Sequence, residues 1–147
     1  MQVRSRIVLL AAIGLLAACG GSGKPPEQAC GRVDRGVLPT WARTGFSDAK
    51  PKIPHVLGQR GQITAILFED MTSGDREKKV LWVAREPWTG TTDLKIDARD
   101  GKDVVERTVA GGPGPSGLEL PHAGCWDLTL RWADKQDSLS LRYGASR

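Results

Sequence analysis

The chain has 147 residues and a formal net charge of +4, from 21 Lys and Arg against 17 Asp and Glu. That length suits one domain of ordinary size, and opposite charges alternate in Asp75-Arg76-Glu77-Lys78-Lys79 and Asp97-Ala98-Arg99-Asp100-Gly101-Lys102-Asp103. Such alternation describes solvated turns and excludes the basic stripe of a nucleic-acid binder. Asparagine is absent, which excludes N-linked sequons, Asn-Gly turns and a Cys-His-Asn triad, and leaves turns to Gly, Asp, Ser and Pro.

At the start of the chain Arg4 and Arg6 precede an apolar stretch from Ile7 to Ala18. It is about 12 residues long, too short for a bilayer core of ~30 Å, and reads as a secretion signal. It closes in Leu16-Ala17-Ala18-Cys19. This run resembles the lipobox of bacterial lipoproteins: an aliphatic residue, two small residues, then a cysteine. The resemblance implies that residues 1–18 are removed, that Cys19 is diacylated on sulfur, and that the mature protein is held in a lipid bilayer on the extracytoplasmic side of the cell envelope. The plainer alternative is an ordinary secretory signal with a small-residue cleavage site. Against it, Cys19 falls directly at the end of the apolar run, and residues 19–29, with Gly20-Gly21-Ser22-Gly23-Lys24-Pro25-Pro26-Glu27-Gln28, have the composition of a flexible tether. A folded domain over 30–147 is expected to follow.

Lipidation of Cys19 changes the cysteine count. An exported chain with three cysteines would leave one unpaired, whereas with Cys19 acylated Cys30 and Cys125 remain as a pair. Export places them where a disulfide persists, and closing that loop contributes about 4 to 5 kcal/mol in the chain-entropy model. A Cys/His metal site with His55 or His122 is the competing reading, but no C-x-x-C or H-x-x-x-H spacing supports it. Loss of Arg4 and Arg6 leaves 19 basic against 17 acidic residues, close to neutral.

Val37 to Phe46, with Leu38, Trp41 and Ala42, suggests a short helix or turn. Beyond it the pattern has period two or consists of short apolar runs. Gln62 to Phe68 and Lys79 to Arg85 are apolar on both faces, as central strands are; Leu94 to Ala98 alternates, and Asp103 to Ala110 places Val105, Arg107 and Val109 on one side. Trp126, Leu128, Leu130 and Trp132, then Leu139, Leu141 and Tyr143, form a hairpin with one dry face. No helical crossover separates any two of these runs, so a parallel sheet is excluded. The expected fold is all-β, a single antiparallel β-sandwich of immunoglobulin size with about seven strands. If Trp126 faces the core, Cys125 points the opposite way or lies just before the strand begins, and the disulfide staples the N-terminal segment to a rim or outer face.

Gly114-Pro115-Ser116, then Pro121-His122-Ala123-Gly124-Cys125-Trp126 followed by alternating Leu and Trp, resembles a group of small bacterial lipoproteins, chiefly actinobacterial, to which no activity is attached. The likeness covers Trp41 to Tyr143 and bears on location and fold alone. Read residue by residue, Gly124 turns the chain, Cys125 anchors it and Trp126 fills the core.

Little in the chain suggests catalysis. His55 follows Pro54 and His122 follows Pro121, in expected loops; Ser116 lacks the G-x-S-x-G elbow; Pro113 and Pro115 remove amide donors from a phosphate nest. Glu69-Asp70 reads as a solvated turn. Neither an enzyme nor a cofactor is expected. Four of the five tryptophans suit core or near-core positions, which leaves Trp88 in the connection Arg85-Glu86-Pro87-Trp88-Thr89, either folded back over the sandwich edge or open to a ligand. Trp88, with Arg85, Glu86 and Thr89, is the candidate ligand-binding group, beside the loop Gly111 to Gly117. An envelope glycan or protein is the expected partner; an accessory lipoprotein acting through a partner protein, or a His-dependent metal carrier or enzyme, are the alternatives.

Overall fold

In the computed structural model the described residues are 30–74 and 77–144. The signal segment, Cys19 and the tether lie outside them. The described residues form eight strands: β1 (His55–Leu57), β2 (Ile63–Leu67), β3 (Lys78–Ala84), β4 (Leu94–Asp100), β5 (Asp103–Val109), β6 (Pro115–Leu118), β7 (Gly124–Trp132) and β8 (Lys135–Tyr143). They form two four-stranded antiparallel sheets, ordered β1-β2-β3-β6 and β5-β4-β7-β8. The expected all-β sandwich is present, with β1 and β6 added to the strands read from alternation.

The alternation becomes the core. Trp126, Leu128, Leu130 and Trp132 of β7 and Leu139, Leu141 and Tyr143 of β8 join one apolar cluster with Ile63, Ala65 and Leu67 of β2 and Val80 and Trp82 of β3. All five residues of β2 are buried, because the outer face of this sheet is covered as well. Ile66 pairs with Leu81 on that face, and Leu38, before a short 3₁₀ turn at Thr40–Ala42, and Ala42, its last residue, are buried outside the central cluster. The two-sided apolar pattern of β2 and β3 therefore marks a sheet with a layer on each side.

Residues 30–36 close the side of the sandwich where the edge strands β1 and β8 adjoin. Cys30 is disulfide-bonded to Cys125, with Cα atoms 5.5 Å apart. Cys125 pairs with Arg142 across β7 and β8 and alternates with buried Trp126, so the bond lies on the outer face of the sheet, as the pleat requires. Gly31 lies so close to the Ser140 carbonyl that no Cβ would fit, and Val33 packs on the core. Asp34 then exchanges two backbone hydrogen bonds with His55, at 2.8 and 2.9 Å, covering the edge of β1.

A buried carboxylate completes this side. Asp137 of β8 accepts from the backbone N–H groups of Arg60 and Gln62 in the β1–β2 turn and of Ser138, each at 2.8 Å. It ties the turn of one sheet to a strand of the other.

Candidate binding cleft

Trp88 lies in the β3–β4 connection, which leaves β3 after Ala84, and directly follows Pro87, which cannot donate to a strand ladder. It folds back: its indole N–H donates to the Gly111 carbonyl at 2.9 Å, and its ring fills the space a Cβ on Gly112 would need. Gly112 has φ +105°, a second reason for glycine there. The Gly111 N–H donates to Asp93 at 3.1 Å. At the other end of the loop, Trp82 donates its backbone N–H to the Gly114 carbonyl at 3.0 Å and its indole N–H to Ser116 Oγ at 2.9 Å. Two tryptophans thus hold the glycine-rich loop, and Ser116 is one of their acceptors rather than a nucleophile.

Between this loop and the 3₁₀ turn lies a cleft of about 370 Å³, lined by Trp41, Thr44, Leu81, Val83, Arg85, Pro87, Trp88 and Pro113 among others. Trp41 and Trp88 are both half-buried. The Arg85 backbone is fixed by a 2.7 Å bond to the Gln62 carbonyl, while its guanidinium makes no ion pair among the described residues. None of the described lining residues is a histidine, cysteine or carboxylate. The cleft therefore offers indole and proline surfaces with the Arg85 cation at the rim, and among its described lining no base stands beside the Thr44 hydroxyl to make it a nucleophile.

Of the four candidate binding residues, Arg85 and Trp88 line this cleft and the other two do not. Glu86 turns away to an ion pair with Lys135 at 2.9 Å, a hydrogen bond that raises the lysine pKa. Thr89 is exposed outside the lining. Trp41 was read as core or near-core, and no periodicity in Val37 to Phe46 distinguishes a core tryptophan from a cleft wall.

The two histidines have separate surroundings. His55 is not in a loop: it opens β1, is buried, and places Nδ1 2.8 Å from the Ile53 carbonyl. His122 is exposed before β7, with Nδ1 3.1 Å from the Ala123 carbonyl and Nε2 3.0 Å from Asp103, and its ring lies 4.8 Å from that of Trp126. Both partners are acceptors, so the two bonds form together only when the ring is protonated on both nitrogens. The Ala123 hydrogen bond, then that of Asp103, raise its pKa. Among the described residues no group of three His, Cys, Asp or Glu is arranged to hold a metal ion. Asp70, in the exposed Glu69-Asp70 turn, accepts from the Thr72 N–H and hydroxyl at 2.9 and 2.7 Å, which hold its carboxyl below its usual range.

No protein-family model, curated protein or solved structure matches the chain in comparison.

Proposed function

We propose that this chain is a lipid-anchored lipoprotein of the bacterial cell envelope, and that its sandwich is a non-enzymatic binding domain taking an envelope glycan in the Trp41–Trp88 cleft. The lipobox, the tether composition and an oxidised cysteine pair support the location. The observation that carries the binding role is the pairing of two half-buried tryptophans with Arg85, which has no ion pair among the described residues, in one cleft. Indole faces accept the C–H faces of sugar rings, and a guanidinium donates to hydroxyl or carboxylate oxygens. A concave, mostly apolar cleft with a few orienting polar groups is the ordinary form of a small binding site.

Titration of the protein with soluble envelope glycan fragments, followed by intrinsic tryptophan fluorescence, tests this. Trp41→Ala and Arg85→Ala should each weaken binding by about tenfold or more, the loss of one aromatic or charged contact of ~1.4 kcal/mol. Trp88→Ala is less diagnostic, because Trp88 also holds Gly111. Binding unchanged in both variants, or absent for every fragment, would overturn the assignment.

A further inference from the structure

Charge is unevenly divided along the mature chain. Residues 30–55 hold five basic side chains (Arg32, Arg35, Arg43, Lys50, Lys52) against the acids Asp34 and Asp48, whereas residues 56–147 hold 13 basic against 14 acidic. The positive excess is concentrated in the segment that follows the tether.

Exposed apolar side chains gather on the same side. Of the four large ones exposed among the described residues, Phe68 (53% exposed), Leu57 (47%) and Val37 (36%) lie on or beside the β1 edge: Leu57 ends β1, Val37 bridges to Lys52, and the Leu67 N–H bonds to the Pro54 carbonyl. Between residues 30–36, the end of β2 and β8 runs a groove of about 760 Å³. Phe68, Arg35, Lys52 and Arg142 line it, and buried Leu67 and Met71 contribute to its wall. Its two acids, Glu69 and Asp70, follow Phe68 directly and are hydrogen-bonded to the Lys79 N–H at 2.8 Å and to Thr72; the lining still holds three cations against two acids.

We infer that this N-terminal edge of the sandwich docks on an anionic phospholipid surface, with Phe68 at the interface and Arg35, Lys52 and Arg142 over the lipid phosphates. The inference rests on the lipid-anchor reading. Cys19 and Cys30 are 11 residues apart, a reach of at most about 40 Å, and the disulfide fixes where that reach begins, beside Gly31 of the groove. An acylated Cys19 would keep the groove within that distance of the headgroups, where an exposed apolar side chain beside an excess of cations is what an anionic interface selects. Docking would also fix the orientation of the cleft relative to the membrane.

The test uses the full acylated chain carrying Phe68→Cys labelled with an environment-sensitive dye, since Cys30 and Cys125 are oxidised. It is bound to phosphatidylcholine vesicles with or without phosphatidylglycerol. The dye should leave water, and be quenched by spin-labelled lipid, only when phosphatidylglycerol is present, and high salt should reverse this. Arg35→Ala with Lys52→Ala should lower the ratio of docked to undocked dye by about 25-fold, roughly fivefold per cation. A dye that stays in water on both vesicle types while the protein floats with them would overturn the inference and leave the anchor standing. If the protein fails to float with neutral vesicles, the anchor reading fails instead. Docking is then judged by flotation with phosphatidylglycerol vesicles, which must persist and be salt-sensitive or the inference falls too.

Discussion

Removing the Cys30–Cys125 bond, by Cys30→Ala with Cys125→Ala or by reduction, perturbs the fold where its chain begins. The two cysteines are 95 residues apart, so β1 to β6 lie within the loop and the β7–β8 hairpin follows it. The chain-entropy model then gives a loss of about 4.7 kcal/mol at 25 °C. Set against a usual domain stability of roughly 5 to 15 kcal/mol, that is a third of the total or more. At about 4 °C per kcal/mol for a domain of this size, the melting temperature should fall by close to 20 °C. The native state gives some of this back, because a reduced chain can release residues 30–34 while the sheets remain. What such a release forfeits is the packing of Val33 and the Asp34–His55 backbone bonds. Urea unfolding followed by tryptophan fluorescence, with and without reductant, reads the difference. A loss below about 1 kcal/mol would refute the view that this bond pins the N-terminal segment to the domain.

Three further expectations concern single side chains. Asp137→Ala removes the acceptor of three backbone N–H groups and should cost about 3 kcal/mol in urea unfolding, since buried donors are left unsatisfied; a cost under 1 kcal/mol would show that the β1–β2 turn is held by other means. Ala133, in the β7–β8 turn, has φ +48°, so Ala133→Gly should stabilise by about 1 kcal/mol and raise the melting temperature by some 4 °C; destabilisation would contradict a left-handed residue there. The raised pKa of His122 means that the stabilisation from its two hydrogen bonds is complete below about pH 6.5 and is lost as pH rises through the raised value. The difference in melting temperature between the protein and His122→Gln should therefore shrink on the alkaline side, and a difference that widens there would contradict the assignment.

Alternation made most of the sandwich legible. β7 and β8 are long, lie beside one another and carry one dry face each, so the hairpin and the outward direction of Cys125 follow from the pleat alone. β2 and β3 were legible as central strands because covering both faces of a sheet demands apolar residues on both. β1 and β6 were not. β1 has three residues after a proline-rich stretch, and β6 begins at Pro115 and contains Gly117, both strand breakers in the interior of a sheet. They are tolerated because each strand lies at a sheet edge, a fact of topology that no local pattern carries. The cleft was half legible. Arg85 and Trp88 stand out in a loop, but Trp41 meets them only because the segment after Val37 folds over the outer face of β3, and such non-local packing has no signature in the 37–46 stretch. The groove was legible only as a charge imbalance, since its wall comes from three separated parts of the chain.

Intact-mass spectrometry of the protein recovered from the membranes of cells that produce it tests the envelope assignment most directly. The expected product lacks residues 1–18 and carries two acyl chains on a glyceryl-modified Cys19, with Cys30 and Cys125 oxidised. An unprocessed chain, or a mature one that begins elsewhere with an unmodified cysteine, would contradict the lipid anchor and with it the placement of the binding domain at a membrane surface.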